Sequence, residues 1–185
     1  MTISTLDPNT ALIVVDLQAG TVRNPTVHPV ADVVANASTL LAAFRARGLP
    51  VVIANVDGTA AGRSEYGGKA SVWPAEMSAL IPEIVAAADE IVVTRRAWSV
   101  FASTDLGARL SDAGVTQVVI VGLATSFGVE STARDAYDAG FNVVVAVDAI
   151  TDMRAEAHDN SVLRIFPILG ETATTAEVVG LLDAR

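Results

Sequence analysis

An aspartate closes the first apolar run of the sequence and is the first candidate for chemistry. The run Ala11–Asp16 reads ALIVVD, so the carboxyl group follows five apolar residues. Burial at such a place disfavours the charged form and raises the pKa of a carboxyl group, which suits a proton donor or acceptor. The alternative is that Asp16 caps the next turn, and its position alone fits both roles.

Two adjacent arginines follow a later apolar run, in the segment IVVTRRAWSVF. A guanidinium from Arg95 or Arg96 beside a buried aspartate would hold it ionised, or would neutralise the carboxylate of a substrate. A solvated surface pair is the competing interpretation of these two residues.

A glycine-rich turn is the third place where chemistry is predicted. The segment GLATSFGVESTARDA starts at Gly122, at the end of a predicted strand, and runs into a predicted helix. Small residues permit a tight turn there. The backbone N–H groups near Phe127 and Gly128 would then point outward, toward an anion or a developing oxyanion.

Parallel strands are the elements that would bring these three places together. Nearly continuous Val/Ile-rich runs are typical of strands buried on both faces of a parallel sheet. The predicted strands are Ala11–Asp16, Pro50–Val56, Glu90–Val93, Gln117–Val121, Asn142–Val147 and Arg164–Ile168. The predicted helices are about His28–Arg47, Leu106–Ala113, Val129–Ala139, Ala155–Leu163 and Thr175–Ala184.

This alternation predicts one α/β domain over residues 1–185, a three-layer α/β/α sandwich with a six-stranded parallel sheet in the Rossmann-like order 3-2-1-4-5-6. Strands one and four are neighbours in that order. In open parallel sheets the ligand crevice lies beyond the carboxyl ends of the strands. Asp16 and the turn Gly122–Gly128 are therefore expected at one site.

Composition excludes several classes of function. The 185 residues include no cysteine, 51% are hydrophobic, and the net charge is −9. A nucleic-acid backbone would be repelled by that charge, and the apolar runs are far shorter than a membrane-spanning helix. We therefore expect a cytoplasmic protein that binds no nucleic acid and no membrane, and that has neither disulfides nor a thiol nucleophile.

The three places occur in an order that resembles the isochorismatase-like hydrolase superfamily, also called the cysteine hydrolases, which includes nicotinamidases and carbamoyl-amide hydrolases. The resemblance runs from Ala11 to about Pro167. Its most specific part is the stretch GLATSFGVESTARDAYDAGFNVVVAVDAITD. It implies a small-molecule substrate and a homo-oligomer built from two-fold dimers.

The family's catalytic triad is Asp, Lys and Cys, and only its first member is present here. The Asp matches Asp16, the Lys position falls on Arg95, and the Cys position falls on Gly128. Without a thiol, an acyl-thioenzyme route is excluded. The resemblance also implies a cis peptide bond between Leu123 and Ala124.

Further residues are predicted around this triad. The oxyanion turn comprises Leu123, Ala124, Phe127 and Gly128. The expected substrate-binding residues are Gln18, Arg63, Trp98, Phe101 and Thr125. The long segment Asp57–Pro82, with Tyr66 and Trp73, is predicted to be a lid, a binding loop or a dimer contact.

A metal or other cofactor is not expected. Metal-binding nicotinamidases resemble one another in a D-x-H…H set after strand two, and the corresponding NVDGTAAGRSEYGG holds Asp57 but no histidine. The two histidines of the chain, His28 and His158, are interpreted as structural or solvated.

Three hypotheses about function remain open at this level. The first is a thiol-free hydrolase of a small anionic metabolite, resembling true isochorismatases, which carry Gly at the Cys position and cleave a vinyl ether; Asp16 is then the general acid. The second is a non-catalytic homologue that binds or scaffolds. The third is hydrolysis of an amide by direct attack of water. A closed pocket in which Asp16 lies beside Arg95 and the Gly128 turn favours an enzyme, whereas a pocket filled by Trp73, Trp98 or Phe127 favours a scaffold.

Overall fold

The structure, a computed structural model, describes residues 3–65 and 71–185 of the chain. Its strands are β1 (Thr10–Val15), β2 (Val51–Val56), β3 (Gly58–Thr59), β4 (Ser71–Val72), β5 (Ile91–Arg95), β6 (Gln117–Leu123), β7 (Asn142–Thr151) and β8 (Glu171–Ala173). Its helices are α1 (Val30–Arg45), α2 (Ala75–Ser78), α3 (Leu106–Asp112), α4 (Glu130–Asp138), α5 (Ala155–Asn160), α6 (Phe166–Leu169) and α7 (Thr175–Asp183). A π-helical turn, Thr125–Val129, leads into α4, and a second, Ser161–Ile165, joins α5 to α6.

The main sheet is parallel, with strand order β5-β2-β1-β6-β7-β8. Numbered within the sheet, this is the order 3-2-1-4-5-6, so the predicted α/β fold is confirmed. Both faces carry a buried apolar core, covered by α1 and α7 on one side and by α3, α4 and α6 on the other. None of the helices in the described ranges has the length and apolar character that crossing a bilayer requires.

The predicted helices are present with small changes at their ends, but the sixth strand was predicted in the wrong place. Arg164–Ile168 lies in the second π-helical turn and α6, and β8 follows three residues later. In this stretch Phe166 is buried, whereas Ile168 is 74% exposed. Burial on one side only is typical of a surface helix, and a short apolar run does not distinguish it from a strand.

The long segment between β2 and β5 holds the short antiparallel pair β3–β4 and the single-turn helix α2. Tyr66, predicted there as a contact residue, lies outside the described residues. Trp73 follows β4 directly, and its backbone N–H donates to the carbonyl of Asp57 at 2.8 Å. The segment is therefore fastened to the carboxyl end of β2.

Close approach of β1 and β6 requires a glycine at position 122. Val15 and Gly122 are partners in the parallel ladder, and Gly122 has φ +115°. A Cβ on Gly122 would lie 2.0 Å from the carbonyl oxygen of Val15. A Cβ is fixed by the backbone that carries it, and the Val15 oxygen is itself a buried backbone atom. The contact therefore cannot be relieved by a side-chain rotation.

We predict that Gly122→Ala lowers the free energy of unfolding by at least about 3 kcal/mol, because it adds a backbone clash to an unfavourable φ. The matched control is Gly180→Ala in α7, where a Cβ meets nothing within 4 Å. That change removes a helical glycine and should stabilise by about 0.5–1 kcal/mol. Urea unfolding of both variants measures the difference, and equal effects would contradict the argument.

Candidate active site

Asp16 leaves β1 in a backbone conformation that turns its side chain into the crevice. Its φ is +52°, in the left-handed region that aspartate tolerates better than most residues. The Asp16 N–H donates to the Ala54 carbonyl at 2.9 Å, and its carbonyl accepts from the hydroxyl of Thr21. The backbone of the candidate acid is thus held from both sides.

Arg95, the last residue of β5, reaches across β2 to Asp16. The two terminal guanidinium nitrogens contact the two carboxylate oxygens, Nη1 with Oδ1 and Nη2 with Oδ2, the latter at 3.0 Å. Nη2 also donates to the Trp98 carbonyl at 2.8 Å. The side chains are only 2% exposed for Arg95 and 10% exposed for Asp16. Of the two roles predicted for Arg95, the structure supports the partner of Asp16.

Two effects act in opposite directions on the acidity of Asp16. Burial disfavours the carboxylate and raises the pKa of Asp16 above its ordinary value. The charge and hydrogen bonds of Arg95 oppose this increase. Burial is the larger effect, so the protonated form of Asp16 is more accessible than in a free aspartic acid.

The turn after β6 contains the expected cis peptide bond between Leu123 and Ala124. Its backbone N–H groups make more hydrogen bonds within the protein than the sequence predicted. The Phe127 N–H donates to the Ala124 carbonyl at 3.1 Å, and the Ser126 N–H donates to Asp152 at 2.7 Å. The prediction that Phe127 offers a backbone donor to a ligand is therefore wrong, because the π-helical turn uses that donor internally.

Gly128 faces Asp16 across the crevice. A Cβ at this position would lie 3.3 Å from Oδ2 of Asp16, and 3.0 Å from the Leu123 carbonyl oxygen and from a methyl group of Val15. The position that the sequence predicts for the family's cysteine is thus directly beside the candidate acid. In this chain it adds no side chain to the crevice.

A cavity of about 200 Å³ opens over Asp16 and Gly128. Its other walls include Trp73, Trp98, Phe127, Met153 and Arg96. The rings of Trp98 and Phe127 meet edge to face, with centroids 5.0 Å apart, and both remain partly exposed. The aromatic residues line the cavity without filling it. Because a cavity of roughly 150 Å³ can hold benzene, this one suits a small metabolite.

Several predicted binding residues lie elsewhere. The amide of Gln18 is fully buried and hydrogen-bonds to the Val56 backbone and to the Met77 carbonyl, so it fastens β1 to the following segments.

Two other predicted binding residues also lie away from the cavity. Phe101 packs beside Phe141. Arg63 is exposed on the loop after β3 and is not part of the cavity wall. Their roles as substrate contacts are corrected accordingly, since sequence position does not give side-chain direction.

Thr125 also supports the turn from behind instead of lining the cavity. It is fully buried, and its hydroxyl is 2.9 Å from Nδ1 of His158. The ring of His158 packs at 4.7 Å from that of His28, whose Nδ1 is 3.2 Å from the Thr151 hydroxyl. His158 is therefore buried in a structural position, whereas His28 is exposed at the surface. Among the described residues, no three acidic or histidine side chains are grouped as metal ligands would be.

Asp152 is the residue that the sequence reasoning missed. It is fully buried and accepts from the N–H and the hydroxyl of Ser126, at 2.7 and 2.8 Å. Its other oxygen accepts from the N–H groups of Met153 and Arg154. The signal was available, because Asp152 follows an apolar strand just as Asp16 does.

Comparison with known proteins shows what the chain is similar to. The family model described as "Isochorismatase domain" matches residues 10–177. The isochorismatase family protein YecD of Escherichia coli O157:H7 is 36% identical over 182 residues, with 94% of this chain and 96% of that protein covered. An isochorismatase family protein of Burkholderia thailandensis superposes with a TM-score of 0.93 at 38% identity, covering 98% of this chain and all of that one. A maleamate amidohydrolase of Pseudomonas putida is 28% identical, covering 91% and 84% of the two chains.

We predict that His158 makes the stability of the fold depend on pH. Burial, and then the charge of His28, lower the pKa of His158 below 6.5, against weaker opposing effects of Asp159 and Asp152. The unfolded chain therefore binds a proton that the folded chain rejects. This contribution to stability is complete above about pH 6.5 and is lost as the pH falls.

The measurement is the melting temperature of wild type and His158→Gln between about pH 7 and about pH 5. Wild type should lose more stability on acidification than the variant. His28→Gln is the control and should blunt the loss only in part, because it removes the smaller cause. Parallel curves for wild type and His158→Gln would exclude this role.

Proposed function

Since the chain belongs to the isochorismatase family of hydrolases, we propose that it hydrolyses a vinyl ether in a small anionic metabolite, with Asp16 as general acid and without a thiol. The observation that carries the proposal is the position of the Asp16 carboxyl group. It lies in an open cavity, has a pKa that burial raises above its ordinary value, and faces the bare backbone of Gly128.

The reaction balances with Asp16 and one water. Protonated Asp16 gives its proton to the terminal carbon of the vinyl ether, and the double bond becomes an oxocarbenium ion beside the new carboxylate. Water adds to the oxocarbenium carbon and releases a proton, which returns to Asp16. The resulting hemiketal collapses to a carbonyl compound and an alcohol, so that the net change is addition of one water.

Arg95 stabilises the ionised state of Asp16 in this scheme. Its guanidinium already contacts both carboxylate oxygens, so the charge that forms on proton transfer needs no rearrangement of the site. A guanidinium stays charged in proteins and does not exchange protons near neutral pH. Proton movement therefore runs through Asp16, and Arg95 has a supporting role.

Attack of water on an amide is less well supported by the same site. The tetrahedral intermediate of that reaction carries an oxyanion, which needs free donors in the cavity. Two donors of the turn after β6 are not available to it, because the N–H groups of Ser126 and Phe127 are bonded to Asp152 and Ala124. A vinyl ether develops positive charge at its carbon, which the carboxylate of Asp16 stabilises. A measurement of turnover distinguishes both reactions from the non-catalytic alternative.

We predict turnover of isochorismate, and not of nicotinamide or small carbamoyl amides. The Asp16→Asn variant should lose about 10²–10⁴-fold in kcat, the usual contribution of one general acid. Asparagine also tolerates the positive φ at this position. In D2O the released pyruvate should carry one deuterium per molecule in its methyl group, because the mechanism protonates carbon; mass spectrometry measures it.

The variant leaves Arg95 without its partner charge, so its fold is checked by thermal melting, and the isotope measurement on wild type does not depend on the variant. A folded Asp16→Asn that keeps the wild-type rate would make Asp16 structural. Pyruvate without deuterium would exclude protonation at carbon. If none of these compounds is turned over, the binding-protein alternative is supported and the proposed reaction is rejected.

A second prediction restores the family's triad. Gly128→Cys places a thiol carbon 3.3 Å from Oδ2 of Asp16, with contacts that need shifts of a few tenths of an ångström. Combined with Arg95→Lys, it should give weak amidase activity toward nicotinamide that iodoacetamide abolishes. Gly128→Ala with Arg95→Lys adds the same Cβ without sulfur and should be inactive. Equal activity in the two double variants would show that the thiol position is not beside the reacting group.

A further inference from the structure

Two arginine–aspartate ion pairs lie at the cavity. One presents its carboxyl group to the cavity, and the other presents its guanidinium group. In the first pair, Asp16 lines the cavity while Arg95 is buried behind it. In the second, Arg96 lines the cavity and Asp57 is its partner, with Nε to Oδ1 at 3.0 Å and Nη2 to Oδ2 at 3.4 Å. The cavity therefore has a carboxyl group at one place on its wall and a guanidinium at another.

The adjacent arginines differ because they sit at the end of an extended strand, where successive side chains point to opposite sides. Arg95 is the last residue of β5, and its side chain is 2% exposed. The side chain of Arg96, one residue later, is 49% exposed. Among the described residues of the cavity wall, Arg96 is the one cationic side chain.

The bond to Asp57 orients Arg96 for an anion. Asp57 occupies the Nε and Nη2 side of the guanidinium. The Nη1–Nη2 edge is the fork that binds a carboxylate with two parallel hydrogen bonds. Asp57 is itself fixed, because its N–H donates to the Arg95 carbonyl and its own carbonyl accepts from Trp73.

The rest of the cavity wall indicates the shape of the ligand. Trp73, Trp98 and Phe127 present flat apolar surfaces, and the volume is about 200 Å³. Aromatic walls of this kind bind planar unsaturated or aromatic groups best. A ring of about benzene size with one carboxylate would use both the aromatic walls and the guanidinium.

We propose that Arg96 is the carboxylate-binding residue of this site, and that the ligand class is a small planar carboxylate whose reacting end lies at Asp16. The proposal rests on the proposed function for the role of Asp16, but the anion contact itself does not depend on it. Of the cations that the sequence suggested for this task, it selects Arg96 and not Arg95 or Arg63.

Benzoate and benzamide are the probes, since they have nearly the same shape and differ in charge. The chain has two tryptophans, Trp73 and Trp98, and both line the cavity, so intrinsic fluorescence of the full chain reports binding there. Wild type should bind benzoate at least about tenfold more tightly than benzamide. Arg96→Gln should remove that preference by weakening benzoate and leaving benzamide unchanged.

Arg96→Lys should keep part of the preference, because it retains the charge and loses the fork. Arg109→Gln is the matched control: Arg109 lies on α3, exposed and 4.0 Å from Asp105, and its loss should change neither affinity. The proposal is overturned if wild type binds the two probes equally or binds neither. It is also overturned if Arg96→Gln keeps the preference for benzoate.

The two proposals fail in different experiments. Loss of the benzoate preference in Arg96→Gln together with full turnover in Asp16→Asn would support the anion contact and reject the acid. Loss of turnover in Asp16→Asn with an unchanged preference in Arg96→Gln would support the acid and reject the anion contact.

Discussion

The ion pair between Asp16 and Arg95 removes two opposite charges from water at the carboxyl ends of β1 and β5. Each charge alone would be costly to bury, and removing one partner of such a pair typically destabilises by about 3–5 kcal/mol. The cost is offset by paired contacts, and here Nη1 contacts Oδ1 and Nη2 contacts Oδ2, while the buried Nε of Arg95 has no hydrogen-bond partner. Because β1 and β5 flank β2, the pair spans three strands at their carboxyl ends, which is the edge of the sheet where the site forms.

That constraint also decides how a proton can move. In a site with lysine and cysteine, three groups share the transfer, whereas here the guanidinium stays charged and Gly128 contributes no reactive atom. Only Asp16 can change its protonation state. Burial favours its acid form and Arg95 favours its carboxylate, so the same carboxyl group can give up a proton and recover it. The bare backbone at Gly128 leaves space beside Oδ2 that a thiol would otherwise occupy.

The sequence predicted what depends on strand ends and missed what depends on side-chain direction. Asp16 and the Gly122–Gly128 turn come together because a parallel sheet in this order permits no other arrangement. Gln18 was misassigned because its amide turns back onto Val56, which alternation along the chain does not reveal. The sixth strand was misplaced because a short apolar run fits a helix that is buried on one side. Asp152 was missed because the predicted fifth strand ends at Val147, whereas β7 continues through Asp148 to Thr151.

The opposite orientation of the two ion pairs bears on selectivity. The chain has a net charge of −9, so its long-range field does not attract anions. Each pair is formally neutral, and its effect is that of a short-range dipole, strongest where aromatic walls exclude water. Selection of an anionic ligand therefore acts after entry and through orientation: a carboxylate is attracted to the guanidinium of Arg96 and not to the carboxyl group of Asp16. In this arrangement, Arg96 binds the carboxylate of the ligand, and the other end of the ligand lies at Asp16.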